Sequence, residues 1–203
     1  MTLDNERIRF YFRNSKQIEE WAALRIEAAA AVHQWLCEIE PDVHNLATEL
    51  GLDVEVEVET AETQGWPFFR LLRQHWRCGR TGPPPVSVIL QWARTSTTLC
   101  ESNLPYVALA SGKEDPIGTA LRRSAAVQDV RKSRKDQPAT PYMVGWGRVP
   151  LSGAFPKTAD DYRAALVEAL RKAWTDYAHH VDAAVLLVQY GATGPAAAAL
   201  VGE

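Results

Sequence analysis

Asp53, Glu55, Glu57 and Glu59 alternate with Leu52, Val54, Val56 and Val58. At the two-residue period of a β-strand, every carboxylate falls on one face and every aliphatic side chain on the other. A row of carboxylates is what a divalent cation needs, so residues 53–59 are a candidate site for a metal-dependent hydrolase. The same row also suits one side of a salt ladder. Arg7, Arg9 and Arg13 would supply its cations, because they alternate with Ile8, Phe10 and Phe12 along residues 7–13, a second candidate strand. A β-α-β crossover would set the two strands side by side.

The acidic strand resembles, in part, nucleases in which a Pro-Asp precedes an acid-x-Lys pattern. Pro41-Asp42 stands upstream, but the run Glu55-Val56-Glu57-Val58-Glu59-Thr60 contains no Lys to assist an attacking water. A second set is His33 with Cys37 and His75 with Cys78. The first pair is four apart and the second three apart, so together they could form a tetrahedral Cys₂His₂ zinc site. Neither pair has the turn spacing of a zinc knuckle, and buried thiols beside ordinary histidines explain them equally. Cys100 has no histidine placed beside it by sequence. His179-His180 follows a helical pattern, where charge favours a helix C-terminus.

Two basic stripes follow. Arg70, Arg73, Arg77 and Arg80 step by three, four and three, so on a helix they share one face. Arg122 and Arg123, then Arg131, Lys132, Arg134 and Lys135, crowd a later segment. Trp66, Trp76 and Trp92 lie among them. Arginine forks with aromatic rings suit phosphates and bases, and equally an acidic protein surface. The whole chain carries a formal charge of −3, so any such attraction would be local. Finally, Ile117-Gly118-Thr119-Ala120-Leu121 resembles the pyrophosphate loop of the GNAT acetyltransferases. The resemblance implies an acyl-CoA-dependent transferase at residues 115–123. It departs from the family at Asp115, where that loop has Gln or Arg.

The elements that would position these residues are legible as patterns. Apolar residues at helical spacing run from Ile18 to Ile39, and Pro41 stops that helix. Asp42 opens a short helix ended by Gly51. Residues 66–80 read as a helix burying Phe69, Leu72 and Trp76. Residues 86–94 read as a central strand, residues 105–110 as another, residues 117–134 as a helix, and residues 142–149 as a strand containing Gly145 and Gly147. Tyr162, Leu166, Leu170, Trp174 and Tyr177 mark a further helix, and residues 184–190 read as a last buried strand.

Of 203 residues, 46% are hydrophobic and 23% charged, which excludes a disordered or coiled-coil chain. No apolar run approaches the length of a membrane helix, and the N-terminus lacks a signal pattern, so a cytoplasmic protein is expected. Three cysteines argue against a disulfide framework. Sixteen arginines against six lysines suggest a GC-rich coding sequence, as in a bacterium or phage. The expected fold is α/β or α+β. One domain over residues 1–191 would carry a mixed sheet of about five strands packed by three to four helices, with a flexible tail at 192–203. The expected function is a non-enzymatic interaction protein with a protein or nucleic-acid partner, no membrane and no cofactor. Its binding surface would comprise Arg70, Arg73, Arg77, Arg80, Trp66, Trp76, Arg131, Lys132 and Arg134. The competing reading is an enzyme, either the transferase or the hydrolase.

Overall fold

A computed structural model describes residues 6–61, 66–94, 104–150 and 159–191. The expected tail at 192–203 and Cys100 lie outside the described residues. The fold is α+β: five strands in the order β1-β2-β3-β4-β5, with a helical layer on one face. The strands are β1 (Val54–Glu59), β2 (Phe68–Arg73), β3 (Val86–Gln91), β4 (Tyr106–Ser111) and β5 (Met143–Arg148). Each pairs antiparallel with its sequence neighbour, so the sheet is a meander rather than a mixed sheet. The strand expectations at 52–60, 86–94, 105–110 and 142–149 hold to within a few residues. The β2–β3 pairing spans Gly82-Pro83-Pro84-Pro85, which is therefore a connection inside the sheet.

The helices are α1 (Glu6–Cys37), α2 (Glu40–Leu50), α3 (Pro116–Arg123), α4 (Ala125–Arg134) and α5 (Ala159–Tyr190). Apolar side chains on alternate strand positions meet α2 and α5. Phe69, Leu71, Val88, Leu90, Val107 and Leu109 are buried in one cluster with Leu46, Leu166, Leu170 and Trp174. No helix among the described residues is long and apolar enough to cross a membrane.

Four further expectations are corrected. Residues 7–13 belong to α1, so Arg9 and Arg13 lie on a helix and not beside the acidic strand. Seven alternating residues are too few to outweigh a helix that continues without a break, and Asn14 Nδ2 donates to Phe10 O inside it (2.8 Å). Residues 66–80 form β2 and a 3₁₀ turn (Gln74–Arg77), because β2 is claimed by strands on both edges. The helix expected over 117–134 breaks at Ser124, whose side chain accepts from Val127 N and starts α4. Residues 184–190 continue α5: a short apolar run fits either period, and Val181, Ala184 and Val185 extend the buried stripe of the helix.

The glycines of β5 have a packing reason. A Cβ on Gly145 would sit 2.6 Å from Tyr177 Oη and 2.8 Å from Arg131 Cγ, and one on Gly147 would sit 3.0 Å from Asp136 Oδ1. The missing side chains leave room for a buried polar network. Tyr177 donates to Asp136 Oδ2 (2.7 Å), and Arg134 bonds both Asp136 (3.1 Å) and Asp176 (2.8 Å).

Candidate binding surface

The first basic stripe is neutralised by carboxylates. Arg70 Nη1 donates to Glu57 Oε2 (2.6 Å), and the strand register explains why, since Glu57 is paired with Arg70 across β1–β2. Arg77 reaches Glu55 (3.2 Å) and Glu57. Arg73 bonds Asp182 Oδ2 (2.5 Å) and lies 3.3 Å from Asp53, while Arg80 bonds Asp115 (2.7 Å). The salt ladder at the acidic strand is therefore real, with Arg70 and Arg77 in the place expected for Arg7, Arg9 and Arg13. Burial alone would raise the Glu57 carboxyl, but hydrogen bonds from Arg77 and Arg70 outweigh it and hold the pKa below the ordinary value. Glu55 and Glu57 are thus engaged by arginines, where the hydrolase reading requires them unpaired.

The rest of the expected surface is dispersed. Trp76 is fully buried against Trp174 (centroids 5.0 Å) and donates to Asp182 Oδ1 (2.6 Å). Arg134 belongs to the buried network, and the half-buried Arg131 packs its stem against Gly145. Lys132 is exposed and pairs with Asp129 (3.1 Å). Trp66 alone of the two tryptophans stays exposed, at 54%.

The other candidates resolve similarly. His33 accepts from Trp92 Nε1 (3.2 Å) with Cys37 Sγ 3.7 Å away, while His75 lies against Asp182 (2.9 Å). Among the described residues no three His, Cys, Asp or Glu side chains could hold a metal ion. Burial raises the Cys37 thiol pKa, which opposes thiolate formation. At the transferase loop, the Asp115 carboxylate accepts from Ile117 N (2.9 Å), so the first turn of α3 is capped by an acid where a pyrophosphate would need to lie.

A different surface emerges from the sheet. On the face turned away from the helical layer, Tyr106 pairs with Arg148 and Ala108 with Trp146 across β4–β5. A register irregularity between Leu109 and Ala110 brings Met143 opposite Ala110, onto the same face. Tyr106 and Trp146 meet edge-on at 5.6 Å, and the Arg148 guanidinium lies 5.9 Å from the Trp146 ring. With Trp66, Tyr142 and Met143 these residues line a cavity of about 260 Å³. Trp66 (54% exposed) and Tyr142 (61%) stand at its rim.

The rim residues are held from behind. Gln91 Nε2 donates to Trp66 O (3.2 Å), and the Tyr106 hydroxyl donates to Gln91 Oε1. Burial raises the Tyr106 phenol to about 12, so it remains a donor. Thr140 Oγ1 accepts from the backbone N–H groups of Tyr142 (3.2 Å) and Met143 (3.1 Å). Arg122 donates to Pro141 O (2.6 Å) and Thr140 O (3.2 Å), clamping the turn that presents Tyr142. Of this surface, sequence reasoning named only Trp66. Alternation along residues 142–149 would have put Trp146 and Arg148 on one face. Joining Met143 to them needed the register irregularity.

Two further cavities lie beside β5 and between α3 and α5. One of about 560 Å³ lies beside Trp146 and Arg148, with Arg134 and Asp136 in its wall. The other, about 220 Å³, is mostly apolar and lined by Leu121, Ala184, Leu187 and His180. Burial and the neighbouring His179 ring, 3.8 Å away between centroids, lower the His180 pKa from its ordinary 6.5. The unfolded chain therefore binds this proton more tightly. The contribution to stability is complete above the ordinary value and is lost as the pH falls through the folded one. His180→Gln is expected to flatten the decline of the urea midpoint below about pH 6.5. An unchanged profile would assign the decline to another group.

No protein-family model matches this chain, and comparison with curated proteins and with solved structures finds no match.

Proposed function

We propose that this chain is a non-enzymatic interaction protein of the cytoplasm that binds a protein partner through the aromatic face around Trp66, Tyr142, Trp146 and Arg148. The expected Arg/Trp chemistry is kept, with its location moved from the basic stripes to the β4–β5 end of the sheet face turned away from the helical layer. The observation that carries the reading is the pair of exposed aromatic side chains, Trp66 and Tyr142, at the rim of a preformed cavity with a Met143 and Trp146 lining. Trp, Tyr, Met and Arg are the side chains enriched in protein interfaces, where a few aromatic anchors carry most of the affinity. A cavity of about 260 Å³ has room for one large side chain. The ion pairs Glu57–Arg70 and Glu55–Arg77 cancel the charge on the β1–β2 part of this face, which favours a protein over a phosphate backbone.

The test is selection from a random peptide display library, followed by affinity measurement on the full chain. Selected peptides should share an aromatic or large aliphatic anchor. Trp66→Ala and Tyr142→Ala should each weaken them by at least about thirty-fold, the scale of an interface hot spot. Peptides that bind both variants as well as the parent would place the interface elsewhere. Steeply salt-dependent binding of single-stranded nucleic acid, lost in the same variants, would replace a protein partner with a nucleic acid.

A further inference from the structure

Two of the cavities share a wall. Trp146 and Arg148 line both the cavity of about 260 Å³ rimmed by Trp66 and Tyr142 and the cavity of about 560 Å³ beside β5. The two differ in character. The smaller is built from aromatic and aliphatic side chains, with Arg148 the one charged residue in its wall among the described residues. The larger carries Arg134, Lys135, Asp136 and Arg148. A peptide whose side chain fills the first therefore runs up to the second.

The balance of charge around the larger cavity is positive. Asp136 is the carboxylate in its wall, and both Arg134 and Tyr177 donate to its Oδ2 (3.1 and 2.7 Å). Asp176 closes on Arg134 from α5 (2.8 Å), so this arginine answers to both carboxylates. Against the negative charge left over stand Lys135 and Arg148 in the wall, and Arg131 packed over Gly145 beside Tyr177. Lys132 is matched by Asp129, while Glu168 and Lys172 flank the lining Ala169 with opposite charges. Lys135 is exposed, and no carboxylate pairs with it among the described residues.

Trp146 adds a donor to this surplus of cations. Its indole Nε1 is buried and has no hydrogen-bond partner. A buried N–H without an acceptor is costly, and folded proteins keep few of them. An oxygen brought by a ligand supplies the missing acceptor, most strongly when it belongs to a carboxylate. An ammonium anchor is disfavoured, because the Arg148 guanidinium already lies 5.9 Å from the Trp146 ring. We propose that the partner bound at this face is an acidic peptide, with a large apolar side chain in the smaller cavity and a carboxylate two or three residues away against Lys135, Arg148 and the Trp146 N–H. The proposal rests on the aromatic face being the docking site. An extended peptide rises about 3.3 Å per residue, so that spacing carries the carboxylate across the Trp146 ring.

Fluorescence anisotropy of labelled peptides on the full chain tests this. Peptides recovered by the display selection are resynthesised with Glu, Gln or Lys at the positions two and three residues to either side of the anchor. At one of these positions the Glu form should bind about tenfold tighter than the Gln form, with the Lys form weakest. Lys135→Glu should cut the preference for Glu to about twofold or less. The Lys135 side chain is exposed, so the urea midpoint of this variant should stay that of the parent. Trp146→Phe keeps a ring and removes the N–H, and it should weaken the Glu form more than the Gln form. Peptides that need Trp66 and Tyr142 yet bind equally with Glu, Gln and Lys would overturn the acidic partner and leave the docking face standing. A preference for Glu that survives Lys135→Glu in full would overturn it as well. Peptides indifferent to Trp66 and Tyr142 would overturn the docking face itself.

Discussion

Asp136→Ala is expected to lower the folding stability by about 3–5 kcal/mol, the usual result of removing one partner of a buried ion pair. The Asp136 side chain is 3% exposed and accepts from both Arg134 and Tyr177. Its loss leaves the Tyr177 hydroxyl without its acceptor, and the Arg134 guanidinium, 11% exposed, with Asp176 alone. Gly145 and Gly147 leave the space this network occupies, since a Cβ on either would crowd Tyr177, Arg131 or Asp136. For a chain of this length the change corresponds to a fall in Tm of about 6–20 °C. Urea titration followed by circular dichroism measures it. Tyr177→Phe removes only the hydroxyl and should cost about 1 kcal/mol. A loss below about 1 kcal/mol for Asp136→Ala would mean that water enters through the adjoining cavity and takes over both donors.

Asp182→Ala should cost about 3 kcal/mol and loosen the contact between the 3₁₀ turn and α5. This carboxylate accepts from Arg73 Nη1 (2.5 Å) and Trp76 Nε1 (2.6 Å), with His75 Nε2 at 2.9 Å. Trp76 is fully buried, so its indole N–H would lose its acceptor where water cannot easily follow, a loss of about 1–3 kcal/mol by itself. The Arg73 guanidinium, 26% exposed, would retain Asp53 as a partner, which limits its share. His75→Ala should change stability by less than about 1 kcal/mol, because its side chain is 46% exposed and its pair is screened. Equal losses for the two variants would show that His75, and not the indole, carries the tie. The cluster resembles a catalytic His–Asp pair only in residue type. Its carboxylate is committed to the arginine and the indole that join the 3₁₀ turn to α5.

The acidic strand was legible because period-two alternation is a local property: Val54, Val56 and Val58 had to face a core, and the glutamates had to face away. The partners of those glutamates were not legible. Arg70 and Arg77 follow as readily from a helical stripe as from a strand and a turn, and only the pairing of β2 between β1 and β3 decided it. With that choice, four arginines that would have formed one basic face became members of ion pairs, Arg70 and Arg77 sharing Glu57 while Arg73 turns to Asp182 and Arg80 to Asp115. The error at residues 7–13 has the same origin, since a short alternating run carries no information about whether a neighbouring strand exists.

By itself, the sequence determined the class of fold, the strand at 54–59, the central strand at Val86, the stripe of α5 from Tyr162 to Tyr177, and the closing of α2 at Gly51. Each depends on spacing between residues close in the chain, where periodicity reports burial directly. Only the tertiary structure decided which charges cancel, that Trp76 is buried while Trp66 is exposed, and that Met143 joins Trp146 across a register irregularity. These depend on contacts between residues far apart in the chain. For the ion pairs the decisive term is long-range: a carboxylate such as Asp182, more than a hundred residues from Arg73, sets whether that arginine faces a partner or the fold itself.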